Sequence, residues 1–525
     1  MHRRLASLLF PAFLVVYILF FFGTVDGRLE GDDHIALAHA AALVGGDRLN
    51  VDVFDPGMPL QVVMSYVGQR LVGATLAEVL LALAIRLIGL TALYLLTVRI
   101  SRNRVIGVVV AATVALLLLH EAVYSAEKLA LYPIAMLAAW RFLEGRLSPY
   151  VLSVVIAVAA LIRHDHGVYV AITMAVAVCL RPQPLATLAR VGGATLALLA
   201  PWLIWIHATE GLPSYVVSRI AFAQDNGLGV ERPFGFAAPY EWNDVNAALW
   251  LWHVAALTTI AALATGIMTR SAPLTVLAVM SAVAMSGLMR KAGQSAEVAA
   301  MWIPLFVWLA REWRWYGRTA LAGVAVVTVA AVLTVTHAQD ELQQIARDGG
   351  GLLRRVPNAV RFHLVTPAID AYAPVDDTTD ERLVVRYLYE CLRPADRVWE
   401  TSMWYPVMYY PQRRPVWHFH WEHGLKHDDA SQRAFLEWIA HEQAPVIVTR
   451  GRSDPFSVFA MYPLVRPYVE THYRAASSSR FDAFRERYRV GLLIDRRRAP
   501  TGTWEPLDLP CFRGQAPGPE PADRS

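Results

Sequence analysis

Long apolar runs constrain this chain more than any other feature of its sequence. They recur near residues 5–22, 75–98, 105–120, 128–143, 149–163, 166–181, 188–208, 246–268, 273–290, 296–311 and 318–337. A helix needs ~20 apolar residues to cross a bilayer. Only 18% of the residues are charged and 55% are hydrophobic, which excludes an ordinary soluble domain. We therefore predict a polytopic all-α membrane domain of about eleven transmembrane helices in residues 1–337.

The arginines predict the side of the membrane that each loop occupies. Residues 58–73 contain Gln61, Gln69 and Arg70, so we interpret them as an interfacial segment and not as a span. The loops predicted to be cytoplasmic then hold Arg99, Arg102, Arg104, Arg141, Arg146, Arg181, Arg190, Arg270, Arg311, Arg314 and Arg318, as the positive-inside rule requires. Arg290 and Lys291 on the outer side are the main exception. This topology places an uncleaved N-terminus in the cytoplasm and the C-terminal part outside.

Two long loops lie on the predicted outer side. The first, residues 24–57, carries seven acids against Arg28 and Arg48; they are Asp26, Glu30, Asp32, Asp33, Asp47, Asp52 and Asp55. The second, residues 209–245, is rich in proline, glycine and aromatic residues. Loops of this length on a helical scaffold commonly carry function. For Asp32 or Asp33, helix capping is the simpler interpretation, because a carboxylate there accepts bonds from free backbone N–H groups.

Beyond the membrane domain we predict a helix and linker over 338–379, a small exported α/β domain over 380–500 and a disordered tail over 501–525. Helical and strand patterns alternate in this region, with strands expected near 396–402, 444–450 and 487–497. Of the three cysteines, Cys179 is expected to be a buried small residue. Cys391 and Cys511 could form one disulfide if this part is exported.

A histidine-rich stretch interrupts the predicted α/β domain. It holds His418, His420, His423 and His427. The last two are four residues apart and would share a helix face suitable for a metal. A solvated polar loop packed with aromatic residues is the alternative, and no cysteine or zinc-type spacing supports the metal.

Three segments resemble motifs of one family. Asp32-Asp33 in the first outer loop, followed by a helix and by "FDPGMPLQ", is similar to the first loop of the GT-C superfamily of membrane glycosyltransferases. Within that superfamily, the pattern is similar to the bacterial relatives of protein O-mannosyltransferases and of the lipid A aminoarabinose transferase. "YSAEKLALYP" (124–133) resembles the second outer loop of that family, and "ALIRHDHGVYVA" (160–171) resembles its basic junction between adjacent spans. The chain departs from the pattern at His34 and at His164-Asp165-His166.

The resemblance implies a function and a set of site residues. The expected activity is transfer of a hexose or pentose from a polyprenyl-phosphate donor to an acceptor hydroxyl outside the cytoplasm, by inverting single displacement. Asp32 aligns with the first acid of the family pair and is the candidate general base, with Asp33 as the second candidate. Arg163, Lys128 and Arg219 are candidates for binding the donor phosphate. Asp32, Asp55 and Glu127 could hold Mg²⁺ or Mn²⁺, and whether a metal is needed stays open.

The remaining expectations concern partners and location. The partners expected are the lipid-linked sugar, a lipid, glycan or protein acceptor, and membrane lipids, in a bacterial inner membrane. A net charge of +4 argues against a nucleic-acid partner. A surface-glycan ligase or polymerase is the related alternative. A transporter or scaffold is the non-enzymatic one, although we find no internal repeat of the kind transporters show. Arg86, inside an apolar run, is either functional or paired with Glu78.

Overall fold

The computed structural model describes residues 2–24, 33–51, 53, 55, 57–117, 123–225, 244–288, 299–312, 315–335, 357, 361, 368–373, 381–401, 404–415, 429–450 and 454–513. Its first part is helical throughout. The helices are α1 (His2–Thr24), α2 (Asp33–Val44), α3 (Pro59–Val72), α4 (Ala74–Ser101), α5 (Arg104–Leu117), α6 (Val123–Leu143), α7 (Pro149–Ile162), α8 (His164–Cys179), α9 (Pro184–Thr209), α10 (Leu212–Asp225), α11 (Asp244–Met268), α12 (Ala272–Leu288), α13 (Ala299–Glu312) and α14 (Trp315–Val335).

Each apolar run of the sequence coincides with one of these helices, which confirms their helical state. Within the described residues, three helices are long and apolar enough to cross a membrane by length and composition: Thr75–Ser101, Pro184–Thr209 and Asn246–Met268. Shorter apolar helices accompany them, including Pro149–Ile162 and Ala272–Ser286. The protein is a multi-pass membrane protein, and the count of about eleven spans stays a prediction.

Two features of the membrane part differ from the sequence-based expectations. Residues 209–245 were interpreted as a loop, but α10 occupies the first part of that range. Cys179 was expected to be buried, and it is exposed at the end of α8. An apolar sequence context does not show whether a side chain faces the protein or the lipid, because both surroundings are apolar.

Local packing sets the hairpin of α7 and α8. Pro149 begins α7, and Arg163 ends it with an extended backbone (φ −161°, ψ 129°), so that His164 begins α8. At Gly167 an added Cβ would lie 2.5 Å from Cα of Ala160. The close approach therefore requires glycine, and it fixes the crossing beside Arg163.

The C-terminal part contains a five-stranded mixed sheet of order β2-β1-β3-β5-β4. Its strands are β1 (Arg397–Glu400), β2 (Arg414–Pro415), β3 (Val446–Arg450), β4 (Tyr473–Ala475) and β5 (Val490–Asp495). β1 pairs in parallel with β2 and β3, while β5 runs antiparallel to β3 and β4. Helices Ala368–Tyr372, Leu383–Cys391, Tyr405–Tyr409, Asp429–Glu442, Val465–His472 and Ser479–Tyr488 accompany the sheet, with a 3₁₀ turn at Ser457–Met461.

The main strands lie where the sequence placed them. β1, β3 and β5 are the predicted strands, and each is almost entirely buried. The sequence missed β2 and β4, which have only two and three residues. A strand this short is too brief to show an alternating pattern.

The predicted disorder from residue 501 was wrong for its first part. Gly502–Trp504 (β6) pairs with Leu509–Cys511 (β7) as an antiparallel hairpin. Cys391 and Cys511 form a disulfide, with Cα atoms 4.6 Å apart, and Leu507, Leu509 and Phe512 are buried. The disulfide and the apolar contacts outweigh the polar, turn-rich composition that suggested disorder. Residues 514–525, the four histidines at 418–427 and most of the predicted linker 338–379 lie outside the described residues.

Candidate functional site

The end of the first predicted outer loop is a turn built on Asp55. One carboxylate oxygen, Oδ1, accepts hydrogen bonds from the backbone N–H groups of Gly57 (2.9 Å) and Met58 (2.6 Å), and the side chain is fully buried. Short polar side chains stabilise turns in this way. The turn leads directly into α3 at Pro59. Asp55 thus shapes the loop, and one of its oxygens is fully occupied.

The other oxygen of Asp55 begins a chain of hydrogen bonds across the site. The Tyr215 hydroxyl oxygen lies 3.2 Å from Asp55 Oδ2 and 2.6 Å from His164 Nε2, and its one proton is donated to one of these two acceptors. His164 Nδ1 donates to the carbonyl oxygen of Ala160 at 2.6 Å. Burial raises the pKa of Tyr215, and the nearby Asp55 carboxylate raises it further. The Tyr215 hydroxyl therefore keeps its proton at neutral pH. These hydrogen bonds join α10, the Asp55 turn and the start of α8.

A second group of polar residues lies where α6 meets the α7–α8 hairpin. Arg163 Nε pairs with Asp165 Oδ1 at 2.9 Å. The buried Glu127, on α6, lies within electrostatic range of Arg163, Lys128 and Asp165. We call Glu127, Lys128, Arg163, Asp165 and His166 the charged cluster. It brings two cationic side chains within electrostatic range of a buried carboxylate. It adjoins the hydrogen-bond chain through the consecutive residues 163 and 164.

Asp165 is the fixed anion of the charged cluster. Burial would raise the pKa of Asp165, but its interactions with His166 and Arg163, and the backbone N–H of His166, lower it overall. The carboxylate therefore stays ionised at neutral pH. It holds the Arg163 guanidinium in place.

Some buried polar atoms of the charged cluster lack partners in the part of the chain that the structure describes. Both carboxylate oxygens of Glu127 and Nε2 of His166 make no hydrogen bond there. His166 Nδ1, in contrast, lies 2.9 Å from the Tyr132 hydroxyl. An unmet buried polar group costs about 1–3 kcal/mol. Such atoms are expected where a ligand or an undescribed segment completes the bonding.

The structure separates the sequence-predicted residues into groups. Glu127, Lys128 and Arg163 come together in the charged cluster. Arg219 has an acidic partner of its own: its two terminal nitrogens lie 3.1 Å from the Glu210 carboxylate, and its guanidinium lies 4.0 Å from the centroid of the Tyr215 ring.

The acidic pair is only partly visible. Asp33 is the first residue of α2, whereas Asp32 lies outside the described residues. Within the ranges that the structure covers, no group of three histidine, cysteine or acidic residues could hold a metal ion. The metal site of Asp32, Asp55 and Glu127 stays a prediction, and so do the catalytic roles of the pair.

Arg86 and Glu78, both on α4, each contact another helix of the membrane part. Ser65 donates a hydrogen bond to the buried Glu78 carboxylate. The Arg86 guanidinium lies 5.5 Å from the centroid of the Phe21 ring. Both contacts lie between helices of the membrane part, which favours a structural contribution of these two side chains.

Several site residues escaped the sequence reasoning as functional candidates. Tyr215 gave no signal, because a tyrosine in a loop is common. His164, Asp165 and His166 were visible only as a departure from the family pattern. Three polar residues at the junction of two apolar runs were the available signal, since ionisable groups at such positions are rarely accidental.

Gly57 offers a test of the contact between the Asp55 turn and α8. Its φ is +101°, and an added Cβ would lie 3.1 Å from Cδ2 of His164. Gly57→Ala should therefore lower the free energy of unfolding by about 1–3 kcal/mol, because the residue would be strained in this backbone region. It should also displace His164 and reduce the transfer activity that the sequence motifs lead us to expect. Thermal unfolding in detergent and a transfer assay measure the two effects.

Gly73 is the matched control. Its φ is +91°, but nothing lies within 4 Å of an added Cβ. Gly73→Ala should cost similar backbone strain and leave activity per folded molecule unchanged. Equal activity in the two alanine variants would show that the His164 contact does not matter for the site.

Comparisons with known proteins find similarity to solved structures but no match to a family model or a curated sequence. No protein-family model matches the chain, and no curated protein sequence matches it. The chain is similar to ArnT from Cupriavidus metallidurans in the apo state, with 13% identity, a TM-score of 0.48 and coverage of 92% of this chain and 97% of that chain. It is also similar to the apo oligosaccharyltransferase of Archaeoglobus fulgidus, with 13% identity, a TM-score of 0.39 and coverage of 89% and 73%. Both belong to the GT-C superfamily that the sequence motifs resemble.

Proposed function

We propose that this protein transfers a sugar from a polyprenyl-phosphate donor to an acceptor hydroxyl on the extracytoplasmic side of a bacterial inner membrane. The observation that carries the proposal is the charged cluster, in which Lys128 and Arg163 lie within electrostatic range of the buried Glu127. The Glu127 carboxylate oxygens lack hydrogen-bond partners among the described residues. A lipid phosphate is an anion held at the membrane surface, and cationic side chains placed there would stabilise its charge. The order of the sequence motifs supports the same function.

The leaving phosphate would be held by Lys128 and Arg163. Lys128 lies at the start of α6 and Arg163 at the break between α7 and α8. Asp165 fixes the Arg163 guanidinium at 2.9 Å, so the cation is already oriented before the donor binds. Charge that develops on the phosphate in the transition state would meet a preorganised cation, which is the main source of this kind of stabilisation. Arg219, already paired with Glu210, is the weaker candidate.

Asp32 would act as the general base. A carboxylate within hydrogen-bond reach removes the proton of the acceptor hydroxyl while that oxygen attacks the anomeric carbon. The sugar–phosphate bond breaks on the opposite face, and the phosphate leaves with the bonding electrons. One displacement of this kind inverts the anomeric carbon, whereas an attack by a protein carboxylate first would retain it.

A divalent metal fits the described residues only in part. Glu127 has two buried oxygens without hydrogen bonds from the described residues, which suits a hard cation. Asp55 is a poorer ligand, because Oδ1 is bound by two backbone N–H groups and Oδ2 by Tyr215. If bound, the metal would supply positive charge next to the phosphate. The steps assigned to Asp32, Lys128 and Arg163 do not depend on it.

The donor class can be tested with lipid ligands of one chain length. Undecaprenyl phosphate should raise the thermal unfolding temperature of the purified protein, because a ligand that binds only the folded state stabilises it. Undecaprenol, which lacks the phosphate, should not do so. Incubation with the matching phosphate-linked sugar should give a product with an inverted anomeric carbon. Stabilisation by both lipids alike, or retention at the anomeric carbon, would overturn the proposal.

A further inference from the structure

The start of α2, next to the acidic pair, is bound by the C-terminal part of the chain. His34 is only 1% exposed, and its Nε2 lies 3.2 Å from the hydroxyl oxygen of Tyr410. The two residues are 376 positions apart in the sequence. A polar ring this deeply buried is held by its partner, because losing a buried hydrogen bond leaves an unsatisfied group.

Two stacked tyrosines form the surface that His34 meets. The rings of Tyr372 and Tyr410 are 4.1 Å apart and nearly parallel, at 11°. His34 contacts both rings edge-on, with centroids at 5.8 Å and 5.4 Å. We call this tyrosine pair the tyrosine clamp. Such geometries stabilise aromatic pairs beyond the area they bury.

The tyrosine clamp is itself fixed within the C-terminal part. Arg386 pairs with Asp370 at 2.6 Å and donates two hydrogen bonds to the carbonyl oxygen of Ala373. These bonds hold the helix that carries Tyr372. The Arg382 guanidinium, just before the helix Leu383–Cys391, lies 5.2 Å from the centroid of the Tyr372 ring. The clamp is therefore anchored to the α/β part and can transmit its position to α2.

The helix Tyr405–Tyr409, which directly precedes Tyr410, also contacts the end of the first predicted outer loop. Met408 packs against Ile35 at the start of α2 and against Met58 after the Asp55 turn. Tyr409 packs on the apolar core of the membrane part. The helix Tyr405–Tyr409 thus contacts both the start of α2 and the residue that follows the Asp55 turn.

We propose that His34 and Tyr410 are positioning residues through which the C-terminal part fixes the start of α2, at Asp33, for transfer. The inference rests on the proposed function, because it assigns the acidic pair a reaction to be positioned for. His34 directly follows Asp33, so a shift of the imidazole shifts the start of α2 and the backbone of Asp33 with it. Preorganisation of this kind matters because small misplacements of a catalytic group lower the rate strongly.

Tyr410→Phe in the full-length protein is the first test. It removes the hydroxyl bonded to His34 and keeps the stacked ring. We expect faster amide hydrogen exchange in residues 34–44 and a single-turnover rate lower by about fivefold, the scale of one hydrogen bond. Donor affinity should be unchanged, because Lys128 and Arg163 belong to other elements.

Tyr387→Phe is the matched control, since its hydroxyl donates to the carbonyl oxygen of Pro510 at 2.7 Å inside the C-terminal part. It should leave the exchange of residues 34–44 and the rate unchanged. If Tyr410→Phe behaves like this control in both measurements, the positioning role is refuted.

Substitutions of His34 separate positioning from packing. His34→Gln can keep a bond to Tyr410, whereas His34→Phe keeps an aromatic ring without one. We expect His34→Gln to retain more of the transfer rate, and the double variant His34→Phe/Tyr410→Phe to be no slower than His34→Phe alone. Additive losses would contradict coupling. A protein without transferase activity whose α2 exchange still responds to Tyr410→Phe would refute the proposed function and leave the clamp supported.

Discussion

Asp32→Asn is expected to fold and insert like the natural protein, to bind the lipid donor and to lose transfer by about 10²- to 10⁴-fold. Asparagine keeps the size and hydrogen bonding of aspartate but cannot take a proton. General-base catalysis contributes typically about 10²- to 10⁴-fold. Single-turnover transfer on purified protein of matched thermal stability measures the loss.

The alternative for Asp32 is helix capping, and the same variant distinguishes the two. Asparagine and aspartate cap helices comparably, so near-natural rates for Asp32→Asn would return this acid to a capping role. Asp33→Asn is the companion variant. Asp33 begins α2, and we expect a milder loss from its substitution. Equal losses for both variants would contradict a single base and favour a shared metal site.

Arg163→Ala should cost about 10²- to 10³-fold in transfer at low donor concentration. This is the scale found when one preorganised charge-stabilising group is removed. Arg163→Lys should recover part of the loss, because lysine restores the positive charge. It cannot restore the contact of the planar guanidinium, in which Arg163 Nε lies 2.9 Å from Asp165 Oδ1. The measurement is the dependence of the transfer rate on donor concentration.

The control for Arg163 is an arginine at the other end of the same helix hairpin. Arg181 follows α8 and donates a hydrogen bond to the carbonyl oxygen of Leu143 at 3.2 Å. Arg181→Ala should leave donor use unchanged. Full activity of Arg163→Ala at low donor concentration would show that Arg163 only extends its charge towards the membrane surface.

Elements with a strong local pattern were predictable from the sequence. The apolar runs became helices because a membrane leaves few other ways to satisfy backbone hydrogen bonds. β1, β3 and β5 were found for a similar reason, since each is a short apolar run that is buried in the sheet. The hairpin of β6 and β7 was missed, because its order depends on partners distant in the sequence, among them Cys391.

The site shows the same division between local and distant information. The sequence by itself determined that the chain is a multi-pass membrane protein with an acidic first loop, and it nominated Glu127, Lys128 and Arg163 through local motifs. Only the tertiary structure decided that these three come together, that Arg219 is paired with Glu210, and that Tyr215 joins Asp55 to His164. It alone placed Tyr410 against His34. The physical reason is that periodicity records which face of an element is apolar, whereas a contact between residues hundreds of positions apart is set by how all the elements pack together.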